Sequence, residues 1–321
     1  MEFKKNDSLC FIGDSITAAE KYVRIIVDYF VLNYPEKHIM FHNVGVPGTA
    51  MPEAINNWDR QFVMRKPTHA TVMFGMNDMN RVLYADSAKV TDELLEKRRS
   101  AIERYKANLG KIHSLLGDTP HMFLTPTPHD ESPEIESPLY GGYDLALKEG
   151  ADYILANYKN VIDVRTPFKE ANDKRLVTTI VGPDRVHPGN IGHAVIAKTI
   201  LKGFGFEDLR LPLWDSTITE DEKAVMKKLG IEENPAPKNP FSDERSRLAR
   251  KVIDFYYVEM NVLAGVDLRD EELVTAKLKE FLSMPIEQWR IDSYTDYLEN
   301  RHTLPEREAA AMEAMEKMYN A

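Results

Sequence analysis

Leu9-Cys10-Phe11-Ile12-Gly13-Asp14-Ser15-Ile16-Thr17 is the stretch on which the fold turns. Its apolar run is long enough for one buried strand, and Gly13 lets the backbone turn sharply without a Cβ penalty. From about Ala19 the residues Tyr22, Ile25, Ile26, Tyr29 and Phe30 recur at helical spacing. Ser15 therefore falls between a strand end and a helix start, where unpaired main-chain amides favour negative charge on a neighbouring oxygen. A serine in that place is either a helix cap or a nucleophile. The remaining loops have to decide between the two.

Working outward, short apolar runs at residues 9–12, 39–44, 70–74, 122–125 and 161–164 read as strands. Helical patterns cover about 19–34, 52–65, 92–116, 142–158 and 189–202. Strands that alternate with helices in this way predict a mainly parallel five-stranded sheet in a three-layer α/β/α sandwich. In such a fold functional groups collect on the loops that leave the carboxyl ends of the strands. Gly13-Asp14-Ser15 follows the first strand, Asn43-Val44-Gly45-Val46-Pro47-Gly48-Thr49 the second and Gly75-Met76-Asn77-Asp78 the third. Pro126-Thr127-Pro128-His129-Asp130-Glu131 follows the fourth, and Gly182-Pro183-Asp184-Arg185-Val186-His187-Pro188 runs into the last helix.

These loops hold what a serine nucleophile needs. Its hydroxyl must lose a proton to a base, and the base needs an orienting group. His187 is the candidate base, and Asp184, three residues earlier on the same loop, can bind the other ring nitrogen. Donors for a tetrahedral oxyanion are the amides of Ser15 and Gly48 and the side-chain NH₂ of Asn77. Gly45 fits the second donor position loosely, and the spacing from Asn43 favours Gly48. Asp14 and Asp78 read as acceptors that order their loops.

Together, Gly13-Asp14-Ser15, the Gly48 loop, Gly75-Met76-Asn77-Asp78 and Asp184-Arg185-Val186-His187-Pro188 resemble the four blocks of the SGNH, or GDSL-type, esterase and lipase superfamily. The resemblance covers about residues 8–203 and implies a flavodoxin-like SGNH fold. It implies Ser15 as nucleophile, Ser15, Gly48 and Asn77 as the oxyanion hole, and Asp184 and His187 as the rest of a triad. The first block departs from the usual pattern in reading Gly-Asp-Ser-Ile rather than Gly-Asp-Ser-Leu, an apolar exchange that touches no catalytic group. The runs from Phe41 to Asp78 and from Asp184 to Leu201 look most like bacterial carbohydrate acetylesterases of the acetylxylan type. That implies hydrolysis of acetyl esters on an oligosaccharide or smaller substrate. The sequence lacks the long apolar lid that a long acyl chain would want. Trp58, His129 and Tyr140 are candidates for contacting the acceptor. Trp58 could equally be a helix residue packed on the sheet, and His129 a solvated loop histidine.

Composition bounds the alternatives. The chain has 321 residues, 43% of them hydrophobic and 29% charged, as expected of a globular protein. Its net charge of −10 argues against a nucleic-acid partner. No run is long enough to span a membrane, and the start does not read as a signal peptide, so a cytoplasmic location is expected. The single Cys10 sits inside an apolar strand, which rules out a disulfide framework and disfavours it as a nucleophile. The histidines show no metal-ligand spacing and no phosphate-binding glycine pattern appears, so neither metal nor cofactor is expected.

The acidity is concentrated at one end. Residues 206–321 carry 16 basic and 25 acidic side chains and only two of the 16 glycines. We therefore expect a catalytic domain at 1–205 and an acidic all-helical extension at 206–321. Thr219 and Glu222 form a capping box, residues 234–240 are rich in proline, and helices follow from Ser242, Asp270, Ile286 and Thr303. The last carries the series Met312, Met315 and Met318, read as core. Apolar stripes on these helices could also serve a homo-oligomer. Besides an acetylesterase, the sequence leaves open a general short-chain carboxylesterase or thioesterase, or an inactive carbohydrate-binding or scaffold protein.

Overall fold

The computed structural model describes residues 1–85, 90–133, 135–136, 140–174, 180–207, 209–213, 217–234, 258–259, 262–263, 266–303, 306–307, 310 and 313. Five strands, β1 (Ser8–Gly13), β2 (Met40–Asn43), β3 (His69–Met73), β4 (His121–Leu124) and β5 (Val161–Ile162), form one parallel sheet in the order β2-β1-β3-β4-β5. β1 is central and all six of its residues are buried, as a strand covered on both faces requires.

From β1 the chain moves outward to β2, then crosses back to β3 and on through β4 and β5. Right-handed crossovers then place α2 (Lys21–Asn33) on one face and α3 (Met51–Asn56), α5 (Asp92–Leu116) and α6 (Tyr143–Asn157) on the other. The last helix over the sheet, α8 (Asn190–Gly203), packs beside α2, while α5 packs against α3 and α6. The predicted three-layer sandwich is the observed fold. Its strand order reverses between β1 and β3, and that reversal opens a crevice at the carboxyl ends of the strands.

The expected 19–34 helix is α2, and a short helix not expected, α1 (Ser15–Ala18), precedes it, the two separated at Glu20, which adopts a left-handed conformation with φ +61°. The 52–65 pattern is divided into α3, α4 (Trp58–Gln61) and a 3₁₀ turn over Val63–Arg65, stopped by Lys66 at φ +48°. A helix the pattern did not announce, α7 (Arg165–Asp173), buries Arg165, Phe168, Ala171 and Asn172. Two of those four are polar, so no apolar stripe marks it in the sequence.

Beyond α8 the chain adds β6 (Arg210–Leu211), α9 (Glu220–Lys228) and β7 (Glu232–Glu233), with β6 and β7 paired. The Thr219–Glu222 capping box is present. The main buried cluster begins at Phe3 and continues through Leu211, Met226 and Ile231. Val258, Leu263, Val274, Leu278, Tyr294 and Tyr297 belong to a second cluster. It is built around α10 (Glu271–Leu282) and α11 (Gln288–Asn300). The two clusters are tied where Arg65 Nη2 donates to the Val266 carbonyl at 2.7 Å. Residues 235–240, most of the helix expected from Ser242, and Met312, Met315 and Met318 lie outside the described residues.

Two glycines give opposite tests of this packing. A Cβ on Gly45 would lie 2.4 Å from the Ala18 nitrogen, main chain that cannot swing aside, whereas one on Gly110 within α5 meets nothing within 4 Å. Gly45→Ala is expected to destabilise the fold by about 1–3 kcal/mol. Gly110→Ala should stabilise it by about 0.5–1 kcal/mol, because glycine is entropically costly inside a helix. Urea-unfolding midpoints of the two variants check both signs.

Candidate active site

Ser15 is the first residue of α1, and Asp14 caps that helix by accepting from the Ile16 amide at 3.0 Å. The cap fixes the turn out of β1 and leaves Ser15 partly accessible at the crevice. On the far side, the segment between α7 and α8 is folded onto itself. Val181 and Pro188 form an antiparallel bridge, and the Gly189 amide donates to the Ile180 carbonyl at 2.9 Å. The tight loop inside this bridge holds Asp184 and His187.

Asp184 organises the loop from within. Its Oδ1 accepts from the Val186 amide at 3.1 Å and the His187 amide at 2.9 Å, while its Oδ2 is hydrogen-bonded to His187 Nδ1. The other ring nitrogen, Nε2, lies 2.8 Å from Ser15 Oγ. Since Asp184 can only accept from the ring, Nδ1 carries the proton and Nε2 is left to accept from the serine hydroxyl. Partial burial works to raise the Asp184 carboxyl, but bonds from the His187 ring and the two amides win and hold it below its ordinary value.

The loop after β2 is fastened to α1. Asn43 Nδ2 donates to the Thr17 carbonyl at 2.8 Å while its Oδ1 accepts from the Gly45 amide at 2.8 Å. The Gly45 amide is thereby occupied. Gly48 is exposed, with φ +76°, a left-handed turn that glycine takes without strain. Among the described residues, no hydrogen bond is made by the amide of Ser15 or Gly48. Asn77 Nδ2 donates to the Thr49 carbonyl at 2.8 Å, and Asp78 Oδ1 accepts from the Met51 amide at 2.9 Å. These two bonds lock the loop after β3 to the Gly48 loop. Ser15, Gly48, Asn77 and the Asp184–His187 pair thus lie on four segments that these bonds and the Ser15–His187 contact tie together.

The three residues expected at the acceptor side sit differently. Trp58 is 6% exposed and packs on Phe62, with ring centroids 4.6 Å apart. His129 is 3% exposed rather than solvated, edge-on to Tyr143 at 5.2 Å and to Tyr140 at 5.9 Å. Burial pushes its imidazole down to about 4. Tyr140 is partly exposed, with the Arg81 guanidinium 5.7 Å from its ring centre. Tyr143, which carried no signal beyond its place at the start of a helical pattern, donates its hydroxyl to the Met76 carbonyl beside Asn77.

Elsewhere, burial pushes the Cys10 thiol up to about 12, so it has no thiolate chemistry near neutrality. His193 is buried against Tyr22 at 6.1 Å and held down at about 3 by desolvation. Among the described residues, no three His, Cys, Asp or Glu side chains are grouped so that they could hold a metal ion. No helix among them is long and apolar enough to cross a membrane.

A family model for the GDSL-like lipase/acylhydrolase family matches residues 11–195, which is more than half of the chain. The chain belongs to this family. It is a carboxylic ester hydrolase of the SGNH superfamily. An acetylxylan esterase from Geobacillus stearothermophilus is 25% identical over 231 residues, covering 65% of this chain and 99% of that protein. A solved structure of a variant of Axe2, an acetyl xylan esterase from the same organism, superposes with a TM-score of 0.52 at 22% identity. It covers 65% of this chain and 100% of its own. BT4096, a gut microbial diltiazem-metabolizing enzyme, has a TM-score of 0.58 at 16% identity and covers 99% of this chain and 96% of its own. These structural likenesses establish the fold.

Burial raises both acids beside the site. Asp78 is pushed up to about 7, mainly by desolvation, with the Asp14 charge adding and the Met51 amide opposing; Asp14 is pushed up to about 6 by desolvation. Oδ2 of Asp78 is buried without a hydrogen-bond partner among the described residues. A carboxyl raised in the folded state contributes stability at pH below its unfolded value, near 4, and loses it as the pH rises through 7. Asp78→Asn keeps the acceptor for Met51 and removes the titration. Its stability relative to wild type should therefore climb between about pH 4 and pH 7, by on the order of 4 kcal/mol, and level off above. Denaturation of both proteins across that range checks the slope, and a constant difference would contradict it.

Proposed function

We propose that this hydrolase is a serine esterase that removes short acyl groups, acetyl foremost, from a carbohydrate acceptor. The observation that carries the reading is the hydrogen-bond relay from Ser15 Oγ through His187 to Asp184. As Oγ attacks the ester carbonyl carbon, its proton passes to His187 Nε2, and Asp184 stabilises the imidazolium that forms. The carbonyl π electrons move to oxygen, where the amides of Ser15 and Gly48 and the Asn77 NH₂ donate to the developing charge. Each such donor is worth about 3 kcal/mol in the transition state. The intermediate collapses with loss of the alcohol, whose oxygen takes the proton from Nε2, leaving Ser15 acylated. Water, deprotonated by His187, then attacks the acyl carbon, releases the acid and restores the serine.

Support for an acetylated carbohydrate comes from the acetylxylan esterase relative. Tyr140 has the accessible ring of the three acceptor candidates and is assigned the acceptor contact. The buried Trp58 packs on Phe62 and the buried His129 on Tyr140 and Tyr143, and neither is assigned an acceptor contact. An inactive binding or scaffold protein would have no need of a complete relay with its donors, and the reading disfavours it. A general short-chain carboxylesterase or thioesterase would use the same groups and differ only in acceptor.

Hydrolysis of nitrophenyl acetate tests the assignment. Ser15→Ala and His187→Ala should each lower kcat by about 10⁴-fold or more. Asn77→Ala should lower kcat by about 10²–10³-fold with little change in KM, since its donor acts on the oxyanion. Wild-type turnover by Ser15→Ala would overturn the mechanism. In an acyl-chain series kcat/KM should fall beyond acetate, and a rate that climbs past butyrate would overturn the acetyl preference.

A further inference from the structure

Arg185 lies inside the loop that presents the base and breaks two ordinary rules. It adopts φ +67°, a left-handed conformation that side chains other than glycine rarely take, and it is only 2% exposed although it carries a guanidinium. Something must hold it there.

The partners are main-chain carbonyls of the segment after β4. Nη1 donates to Asp130 O at 2.8 Å and to Ser132 O at 2.7 Å, and Nη2 donates to Ile135 O. The contact is reciprocal, because the Asp130 amide donates to the Arg185 carbonyl at 3.1 Å. Asp130 is itself 4% exposed, and its Oδ1 accepts from the Ser132 amide at 2.8 Å. Its Oδ2 accepts from Asn172 Nδ2 at 3.0 Å, and Asn172 Oδ1 in turn accepts from the Ile180 amide at 3.1 Å. Ile180 is the residue whose carbonyl closes the base of the Asp184–His187 loop through Gly189.

The bonds therefore run in a ring. From the loop after β4 they pass through Asn172 on α7 to the foot of the base-bearing loop, and return through Arg185 at its tip. A planar guanidinium is suited to this because its donors leave in a fixed fork, which sets the angle of the loop as well as its distance.

We propose that Arg185 is a positioning residue for the general base. With Asp130 and Asn172 it clamps the 184–187 loop and holds His187 Nε2 within reach of Ser15 Oγ. The proposal rests on the triad reading above. It adds that the distance between nucleophile and base is set from behind, by a buried arginine that touches neither.

Arg185→Gly is the direct variant, since glycine accepts the backbone conformation without strain while the fork is lost. On nitrophenyl acetate its kcat should fall about 10- to 100-fold with KM within about twofold of wild type, because misplacing a reacting group costs the chemical step. Added guanidinium ion, at concentrations far below denaturing, should restore part of the loss. Activity is to be normalised to folded enzyme by titration with a serine-directed phosphonate. A merely structural arginine would lower the unfolding temperature and leave kcat per titrated site unchanged, and that result overturns the clamp. Should Arg185→Gly fail to fold, Asn172→Ala decides instead: a reduced kcat supports the ring and wild-type kcat overturns it. Ser15→Ala is measured alongside. Full activity there sinks the triad reading itself, whereas an inactive Ser15→Ala beside a fully active Arg185→Gly sinks the clamp alone.

Discussion

Ser15 and His187 are 172 residues apart in sequence and meet in one hydrogen bond of 2.8 Å. No local preference could bring them together, and tenths of an ångström there matter to proton transfer. Much of the surrounding structure fixes that distance. β1 is buried along its whole length and points Ser15 into the crevice, and Asp14 sets the angle of departure. From the other side, the Val181–Pro188 bridge and the bonds accepted by Asp184 shape the loop on which His187 rides. The Asn43 side chain, bonded to Thr17 and Gly45, keeps the loop after β2 in register with both.

This convergence works against stability. Asp14 and Asp78 are carboxyls that burial keeps protonated at pH values where a solvated acid would be charged, and one oxygen of Asp78 has no partner among the described residues. Both hold loops rather than core: Asp14 the helix that begins at Ser15, Asp78 the first turn of α3 beyond Gly48. Functional sites are where such departures from ordinary burial rules concentrate. The surrounding sheet and its apolar faces offset them, with Leu9, Phe11, Phe41 and Phe123 each no more than 1% exposed.

The sheet was legible in the sequence because parallel strands buried on both faces read as unbroken apolar runs. All five lie where those runs predict. The candidate site residues stand out in the sequence because each follows an apolar run or precedes the helical pattern at 189–202, with a glycine or proline nearby. What could not be read has a common cause. α7 buries Arg165 and Asn172, bonded to Asp144 and Asp130, and Arg185 is buried by carbonyl partners from a distant loop. In each case a polar residue is placed by tertiary hydrogen bonds, and neither periodicity nor composition records those. His129 is covered by aromatic rings rather than solvated, and a histidine in a polar loop gives no sign of that cover.

In the proposed mechanism Ser15 carries the acyl group between the two halves of the reaction. Rapid quenching of the wild-type enzyme during turnover of nitrophenyl acetate, followed by mass spectrometry of the intact chain and its peptides, tests this directly. A single acetyl group on the peptide that contains Ser15, formed and lost at the rate of turnover, is the predicted result. Acetyl on another residue, or continued turnover with no acetylated protein at any time, would contradict it.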